Sequence, residues 1–374
     1  MIKILFFIPG LSEGGAEKVL RNLVNNLDQS KFDVTVQTID QCVSSEFLTN
    51  GIHYKAINRC KSELGKKIFS YWFRICAQLK LAYRFFVKDD YDIEVAYLET
   101  VATKIIAQSN NFRAKKVAWV HCDLARKEGI REVSAKVKKQ YNQFDHIVCV
   151  SEDVRTGFHE LFGPEFDTSV LPNVIDDDEI RVKSDEVLQY EMENNKIQMV
   201  ALGRLAPQKN FAYLIDTCRK LKDANCSFCL NILGEGPERE KLERQILSLG
   251  LEENVILRGF FKNPYPWVKR ADIVVCSSAY EGISTVIQEA LFLHKPVVTT
   301  PCTGMKELLG DSEYGMVVDN SNDGLLKGLY QMINSEELRS HYSQKAVERS
   351  KMLAKTAAVK LTQNFFESIV LRKI

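Results

Sequence analysis

The feature that most constrains this chain is an alternation of short apolar runs with helical patterns, which occurs twice along its length. The runs are rich in Val, Ile and Leu and end in glycine or polar residues, whereas the intervening segments carry apolar residues at helical spacing. Near-continuous apolar strands separated by helices are typical of parallel sheets covered on both faces. The sequence therefore predicts an α/β protein with two Rossmann-like, doubly wound domains.

Six strands are predicted in each half of the chain. In the first half they are residues 2–8, 32–37, 93–98, 116–120, 147–150 and 169–171. In the second half they are residues 198–202, 227–233, 255–257, 273–276, 296–299 and 315–318.

The domain boundaries follow from length and polarity. At 374 residues the chain exceeds what one core usually organises. Residues 176–196 are polar, acidic and poor in core-forming side chains, so they are predicted to be a linker between domains at residues 1–175 and 197–352. Residues 353–374 have helical spacing and no strand partner, which predicts a helix that packs back on the first domain.

The composition is that of an ordinary globular protein, with 45% hydrophobic and 26% charged residues. Neither a membrane-spanning stretch nor a signal peptide is recognisable. The ten cysteines are scattered and several lie in strand-like runs, which favours buried, reduced thiols in the cytoplasm. Cys226 and Cys229 have no second ligand pair at metal-binding spacing, so a zinc site is not expected.

Positive charge is concentrated in the first half, although the formal net charge is only +1. Residues 59–88 contain eight basic residues against one acidic, and residues 113–139 contain nine against three. These segments carry +7 and +6, which leaves −12 for the rest of the chain. No known RNA- or DNA-binding motif accompanies this charge, so a nucleic-acid partner is not expected.

Residues 65–88 combine helical spacing with aromatic and basic side chains. Two interpretations stay open: the segment lies on an anionic membrane surface, or it is a core helix with one solvated basic face. The side chains concerned are Phe69, Trp72, Phe73, Phe85 and Phe86 with Lys66, Lys67, Arg74, Lys80, Arg84 and Lys88.

Ligands of doubly wound domains bind at the carboxyl ends of the strands, so the chemistry is expected in those loops and in the cleft where the two sheets face each other. Gly14 and Gly15 follow the first strand at a probable helix start, where backbone N–H groups approach a diphosphate. The spacing matches neither the dinucleotide-binding fingerprint nor a Walker loop. A simple glycine turn is the alternative.

In the second half, Arg204 and Lys209 follow a predicted strand and are placed to bind phosphate oxygens. Solvated surface cations are the alternative. Gly236 and Gly259 end two further strands, where they either offer backbone groups to a nucleobase or only form turns.

The stretch EGISTVIQE, residues 281–289, is predicted to start a helix. Either Ser284 or Thr285 suits the N-cap, Gly282 permits close approach of the backbone, and the N–H groups near Ile283 face an anion. Glu289 then lies about 7.5 Å along the axis from the cap at 1.5 Å per residue, where it is placed to bind a ribose. Glu281, before the turn, is predicted to contact the sugar beyond the diphosphate. The alternative is a solvated Glu281 with Glu289 paired to Lys295.

Several motifs occur together in one order along almost the whole chain. They are GGAEKVL, VCVSE at 148–152, LPNVID at 171–176, GRLAPQKN at 203–210, LGEGPE at 233–238, and the glutamates at 281 and 289. In this combination the chain resembles glycosyltransferase family 4, which has the GT-B fold.

This resemblance implies transfer of a sugar from a nucleotide donor with retention of anomeric configuration. It implies that Arg204 and Lys209 bind the donor diphosphate, that Glu281 contacts the donor sugar and that Glu289 binds ribose hydroxyls. Family members often carry a histidine after an N-terminal strand, at the donor sugar, which places His121 of WVHCD there; a core or surface imidazole is the alternative. Here EGIS stands where the family often has EGFG or EGxP, so the sugar preference cannot be deduced.

The expected activity is transfer of a hexose or N-acetylhexosamine, from a UDP-linked donor, to a saccharide acceptor that is lipid-linked. The expected setting is bacterial capsule, O-antigen or lipooligosaccharide synthesis, in the cytoplasm at the inner face of the membrane. No cofactor or metal is expected, because Arg204, Lys209 and the helix start supply the positive charge that the diphosphate needs. A UDP-sugar 2-epimerase of the same fold and a nucleotide-sugar-binding protein without turnover are the alternatives.

Overall fold

A computed structural model describes residues 1–11, 14–41, 48–60, 62–127, 129–188, 195–319, 321 and 323–371. The chain divides into two compact units. The first comprises Met1–Val174 together with Thr356–Ile374, and the second comprises Ile175–Lys355. Helices and strands are numbered below in chain order.

The first unit contains a parallel sheet of seven strands. Its central strands are almost wholly buried, which explains their continuous apolar sequences. The strands are β1 (Ile2–Phe7), β2 (Phe32–Asp40), β3 (His53–Asn58), β4 (Ile93–Ala96), β5 (Lys115–Val120), β6 (His146–Cys149) and β7 (Thr168–Val170), and their order across the sheet is β3-β2-β1-β4-β5-β6-β7.

The helices of the first unit connect these strands, with one exception. They are α1 (Gly15–Asn26), α2 (Glu63–Gln78), α3 (Ala82–Phe86), α4 (Val101–Ile106), α5 (Ile130–Tyr141), α6 (Glu152–Phe162) and α15 (Lys355–Leu371). The exception is α15, whose Phe366 is fully buried and makes edge-on ring contacts with Phe6 and Phe32. The last helix therefore completes the core of the first unit.

The second unit contains a parallel sheet of six strands. They are β8 (Ile197–Leu202), β9 (Phe228–Leu233), β10 (Val255–Gly259), β11 (Ile273–Cys276), β12 (Val297–Thr299) and β13 (Met316–Val317), in the order β10-β9-β8-β11-β12-β13. Its helices are α7 (Asp177–Ser184), α8 (Phe211–Asp223), α9 (Arg239–Ser248), α10 (Tyr265–Arg270), α11 (Thr285–Phe292), α12 (Met305–Leu309), α13 (Gly324–Asn334) and α14 (Glu336–Met352).

Two Rossmann-like units with parallel sheets are thus present, as the apolar pattern predicted, but three local features differ from it. Strand β3 was not predicted, since HYKAIN is mostly polar and forms a partly exposed edge strand. Residues 65–88 form two helices, because Lys80 has a left-handed backbone (φ 59°) between them.

The third difference concerns the predicted linker at 176–196, part of which is helix α7 of the second unit. Asp176 caps this helix by accepting a hydrogen bond from the N–H of Glu179 at 3.1 Å. The fully buried Ile180 anchors it, and α7 packs against α10 and α11. Acidic residues at a helix start are favourable, so the acidic run is the first turn of a helix rather than a polar connection. Residues 189–194 of the predicted linker lie outside the described residues.

Candidate active site

The candidate residues of the second unit follow four strands that are neighbours in its sheet. Arg204 and Lys209 follow β8, Gly236 follows β9, Gly259 ends β10, and the stretch 281–289 follows β11. Strand β8 lies between β9 and β11, and the strand order reverses there. Since all these strands are parallel, their carboxyl ends share one edge at a topological switch point, which is where doubly wound sheets bind ligands.

An ion pair joins the loops after β8 and β11. Lys209 Nζ lies 2.6 Å from Glu281 Oε1, and the exposed fractions of the two side chains are only 18% and 11%. The hydroxyl of Ser278, which is buried, donates to the same carboxylate oxygen at 2.7 Å. The structure therefore brings together two of the predicted catalytic residues, with a serine that the sequence analysis did not select.

Burial alone would lower the pKa of Lys209, but the negative charge of Glu281 and the hydrogen bond to it outweigh burial. The pKa of Lys209 is consequently raised above its ordinary value. The side chain is a fixed ammonium group at neutral pH, which suits a contact with phosphate rather than proton transfer.

Further hydrogen bonds tie the same two loops together. The N–H of Ala279 donates to the carbonyl of Gln208 at 2.8 Å, and the Gln208 amide donates to the carbonyl of Tyr280 at 3.0 Å. The hydroxyl of Ser277 donates to the carbonyl of Lys209 at 2.8 Å. Lys209 and Glu281 are thus held by a connected backbone rather than by two independent loops.

The predicted helix start after β11 is present. Helix α11 begins at Thr285, and Ser284 is its N-cap, with its hydroxyl accepting from the N–H of Ile287 at 3.5 Å. Of the two predicted N-cap residues, Ser284 and Thr285, the structure therefore selects Ser284. The first turn of a helix has amide groups without intrahelical acceptors and the positive end of the helix dipole, and Gly282 and Ile283 lead directly into it.

Gly304 lies against this turn. A Cβ at Gly304 would come within 2.4 Å of the carbonyl oxygen of Gly282, and its φ of +80° also favours glycine. The loop after β12 therefore supports the Glu281 turn through backbone contact, which the sequence analysis did not anticipate.

The glycines after β9 and β10 have a packing role. A Cβ at Gly234 would lie 1.9 Å from the carbonyl oxygen of Gly203, and one at Gly236 would lie 2.3 Å from that of Leu205. The carbonyl of Gly259 accepts from the N–H of Gly234 at 2.8 Å. These contacts favour the turn interpretation of Gly236 and Gly259, although their backbone groups still lie at the ligand edge of the sheet.

The two other polar candidates of this unit differ in exposure. Arg204 is exposed, and its guanidinium has no hydrogen bond or ion pair with any residue that the structure describes. Glu289 is buried on α11, where the hydroxyl of Tyr265 donates to it at 3.4 Å. Tyr265 is therefore one described partner of Glu289, whereas the alternative interpretation had named Lys295.

His121 belongs to the first unit and follows β5. Burial lowers the pKa of its imidazole to about 4, although the charge of Glu99 and a hydrogen bond to the carbonyl of Tyr97 act in the opposite direction. The Nε2 atom is buried and has no partner among the described residues. His121 is thus a neutral ring with one buried nitrogen that has no hydrogen-bond partner among the described residues.

Glu99, which the sequence analysis missed, fixes the loop that carries His121. Its Oε1 atom accepts the backbone N–H of His121 and, at 3.0 Å, that of Cys122. The next residue, Thr100, has φ 72° and ψ −96°, a strained combination for a residue with a side chain. A carboxylate directly after a buried strand, here β4, was the sequence signal for this residue.

The glycines of the first loop are placed as predicted at a helix start. Gly14 is the N-cap of α1 and Gly15 its first residue. Gly14 has an ordinary extended backbone, so no conformational demand explains it. Among the described residues no group of three or more His, Cys, Asp or Glu side chains is arranged to hold a metal ion.

Two protein-family models match the chain in succession. The model described as Glycosyltransferase Family 4 matches residues 13–179, and the model described as glycosyl transferases group 1 matches residues 182–349. These stretches comprise 167 and 168 of the 374 residues.

Two curated relatives are similar along nearly their entire length. One is the N-acetylgalactosamine-N,N'-diacetylbacillosaminyl-diphospho-undecaprenol 4-alpha-N-acetylgalactosaminyltransferase of Campylobacter jejuni, 29% identical over 371 residues, which are 95% of this chain and 96% of that protein. The other is the amylovoran biosynthesis glycosyltransferase AmsD of Erwinia amylovora, 25% identical over 359 residues, or 94% and 95% of the two chains.

Solved structures share the fold at lower sequence identity. HepE of Anabaena, in complex with UDP and glucose, has a TM-score of 0.77 and 20% identity, covering 98% of this chain and 100% of that one. Sucrose-phosphate synthase of Thermosynechococcus elongatus has a TM-score of 0.79 and 13% identity, with full coverage of both chains.

The two parallel-sheet units and the matching relatives define a glycosyltransferase of the GT-B fold. The chain is a glycosyltransferase that is similar to glycosyltransferase family 4, whose model matches residues 13–179.

Proposed function

We propose that this glycosyltransferase moves a hexose or N-acetylhexosamine from a UDP-sugar to a lipid-linked saccharide, with retention of configuration, in bacterial surface polysaccharide synthesis. The observation that carries the proposal is the Lys209–Glu281 pair beside the start of α11, at the switch point of the second sheet. A cation, a carboxylate and a helix start at one place suit a ligand with a diphosphate and a sugar.

In this proposal the diphosphate of the donor binds at the first turn of α11. Lys209 contacts it with its ammonium group, and the exposed guanidinium of Arg204 closes on it from the loop after β8. Both cations also stabilise the charge that develops on the leaving phosphate.

Glu281 has two roles in the proposal. It holds the Lys209 ammonium group in place, and its carboxylate accepts hydrogen bonds from hydroxyls of the donor sugar. Ser278 fixes the orientation of the carboxylate through its hydrogen bond. Glu289 accepts hydrogen bonds from the ribose, and a contact of His121 with the donor sugar stays a prediction from the family resemblance.

The reaction needs one bond to break and one to form. The bond from the anomeric carbon to the β-phosphate oxygen breaks, and the electron pair leaves with the diphosphate. A hydroxyl oxygen of the acceptor then bonds to the anomeric carbon, and its proton passes to the leaving phosphate oxygen. Positioning and electrostatic stabilisation are the contributions of the protein, and we propose that no metal is required.

The acceptor is proposed from the relatives. The Campylobacter jejuni relative is named for a diphospho-undecaprenol saccharide as its acceptor, and AmsD is named for amylovoran biosynthesis. A lipid-linked saccharide at the inner face of the cytoplasmic membrane is the corresponding acceptor here. No helix in the described part of the chain has the length and hydropathy to cross a bilayer.

The donor is tested first by thermal shift with UDP-, GDP- and ADP-sugars, because a ligand that binds only the folded protein raises its melting temperature. We expect the UDP-sugars to give the largest shift. The site is then tested by transfer assays on Glu281→Ala and Lys209→Ala, each expected to lose at least ~100-fold in turnover.

Lys220→Ala is the matched control, since Lys220 forms an ion pair of the same 2.6 Å length with Asp323 on an exposed surface of the same unit. Its turnover should equal that of the wild type. Near wild-type turnover of both site variants would reject the assigned site, and retention is checked from the anomeric signal of the product.

The two alternatives from the sequence are less well supported, because the matched family models and curated relatives are glycosyltransferases. Incubation with donor alone distinguishes them. A 2-epimerase would convert the donor without an acceptor, and a binding protein would leave both donor and acceptor unchanged.

A further inference from the structure

We infer that one exposed face of helix α2 docks the protein on an anionic lipid bilayer. This face, here termed the α2 stripe, consists of Leu64, Ile68, Tyr71, Trp72, Ile75 and Leu79. Their exposed fractions lie between 37% and 71%. Of the 21 exposed large hydrophobic residues in the described part of the chain, eight lie between residues 64 and 85, so the exposure is concentrated rather than scattered.

The stripe is regular. Its residues recur at intervals of three and four, and at 3.6 residues per turn they cover about 100° of the helix circumference. A second apolar stripe of the same helix, formed by Phe69, Phe73, Cys76 and Ala77, packs into the core of the first unit. The core therefore already has its own face of α2, and packing within the unit leaves the α2 stripe uncovered.

The aromatic residues of residues 65–88 fall into two groups, one packed against the core and one exposed. Phe73 is buried, and Phe69 and Phe86 pack against the core, whereas Trp72 and Phe85 stay exposed with their ring centroids 6.2 Å apart. Tryptophan with one face in the protein and one in solvent is the side chain most enriched at membrane interfaces. The core-helix interpretation of residues 65–88 thus describes one face of α2, and the membrane interpretation concerns the other, exposed face.

Basic residues lie beside the stripe on α2 and follow it along the chain. Lys67 and Arg74 lie on α2, Lys80 lies in the break after it, and Arg84 and Lys88 follow, all of them exposed. Within the described residues none of the five forms an ion pair, whereas Lys66 is paired with Glu63 at 2.7 Å. An apolar stripe bordered by unpaired cations matches the two layers of an anionic membrane surface, its acyl boundary and its charged headgroups.

The charges decide between a bilayer and a second copy of the chain. A two-fold interface through the α2 stripe would place two identical sets of cations beside each other, which is unfavourable. An anionic bilayer offers opposite charge to the same cations. The chemistry therefore selects a lipid surface as the partner.

The inference does not depend on the proposed function, because lipid binding is measured without donor or acceptor. It adds to that function a way of holding the enzyme where lipid-linked saccharides are found. A failure of vesicle binding would leave the assigned donor site untouched, and a failure of the donor site would leave vesicle binding untouched.

The test is co-sedimentation of the full chain with vesicles of phosphatidylcholine, with and without phosphatidylglycerol, at 50 mM and 500 mM NaCl. Wild-type protein should bind only the anionic vesicles and more weakly at high salt. Each cation near such a surface contributes a factor of about five. The triple variant Lys67→Gln, Arg74→Gln, Lys80→Gln should therefore bind on the order of 100-fold more weakly at low salt.

A second triple variant tests the apolar part. Leu64→Gln, Ile68→Gln and Leu79→Gln replace exposed side chains, so the fold and its Tm should be unchanged while binding falls at least ~10-fold. Lys327→Gln, Lys351→Gln and Lys360→Gln form the matched control, because these lysines are exposed on other helices. The control should bind like the wild type.

Three results would overturn the inference. They are absence of wild-type binding to anionic vesicles, equal loss in the control variant, and a concentration-dependent dimer that the Leu64→Gln, Ile68→Gln, Leu79→Gln variant abolishes while vesicle binding is absent. The dimer would identify a second copy of the chain as the occupant of the stripe.

Discussion

The ion pair between Lys209 and Glu281 should contribute measurably to the stability of the second unit. At 2.6 Å and an effective dielectric constant of about 20, the attraction between the two charges is about 6 kcal/mol. Desolvation of both groups offsets much of this. Removing one partner of a buried pair typically costs about 3–5 kcal/mol because the other charge stays buried without compensation. Since both side chains are slightly exposed, we expect about 3 kcal/mol for each single variant.

Lys209→Met and Glu281→Gln are suitable variants, because each removes a charge with little change in shape. For a unit of this size, about 1 kcal/mol corresponds to about 2–4 °C in Tm, so each variant should melt about 6–12 °C below the wild type by calorimetry. The double variant leaves no uncompensated charge. We therefore expect its Tm to be no lower than that of either single variant.

The pH dependence follows from the raised pKa of Lys209. A cation stabilised in the folded state contributes fully below its ordinary pKa of 10.5 and loses that contribution as pH rises through the higher folded value. The decrease in Tm of each single variant, relative to the wild type, should therefore be the same at pH 7 and at pH 9. Single variants within about 2 °C of the wild type, or a double variant whose decrease equals the sum of the two, would refute this account of the pair.

Three further predictions concern other parts of the molecule. The pKa of His121 falls from 6.5 to about 4 on folding, so the free energy of unfolding should decrease by about 3 kcal/mol as pH falls from 6.5 to 4. In urea titrations the His121→Phe variant should show little of this decrease. A variant with the same pH profile as the wild type would contradict this prediction. Gly234→Ala should lower the free energy of unfolding by at least ~2 kcal/mol, because Gly234 has a φ of +150° and lies against the Gly203 carbonyl. Gly250→Ala should lower it by about 1 kcal/mol, because Gly250 has open space around it. Equal Tm values for the two variants would be inconsistent with the Gly234–Gly203 contact. Chelator should leave transfer activity unchanged, and complete loss after EDTA treatment would show that a metal is required.

The strands could be predicted wherever burial dictated their composition. The buried strands β1, β4, β6 and β11 are apolar runs that the sequence shows directly. Edge strand β3 could not be found in this way, since a half-exposed strand needs no continuous apolar run. The helix break at Lys80 was equally hidden, because a left-handed lysine has no distinctive sequence signal.

The candidate site shows a similar division. The glutamate spacing and an N-cap at Ser284 or Thr285 were deducible, since helix starts have known chemistry, and the structure selects Ser284. The role of Glu99 depends on β4 and β5 being neighbours in the first sheet, and a single sequence does not contain that order. Ser278 lies only three residues before Glu281, but the shape of the loop that joins them is not visible in the sequence. The same holds for Gly304, whose need for glycine comes from a backbone distant in sequence.

The placement of α15 has a consequence for biosynthesis. The chain leaves the first unit after Val174, builds the second unit continuously, and returns at Thr356. On the ribosome, Phe6 and Phe32 are synthesised before the second unit, whereas Phe366, which packs against both, is synthesised after it. The core of the first unit can therefore be completed only after the second unit has been synthesised, although the chain of the first unit emerges first.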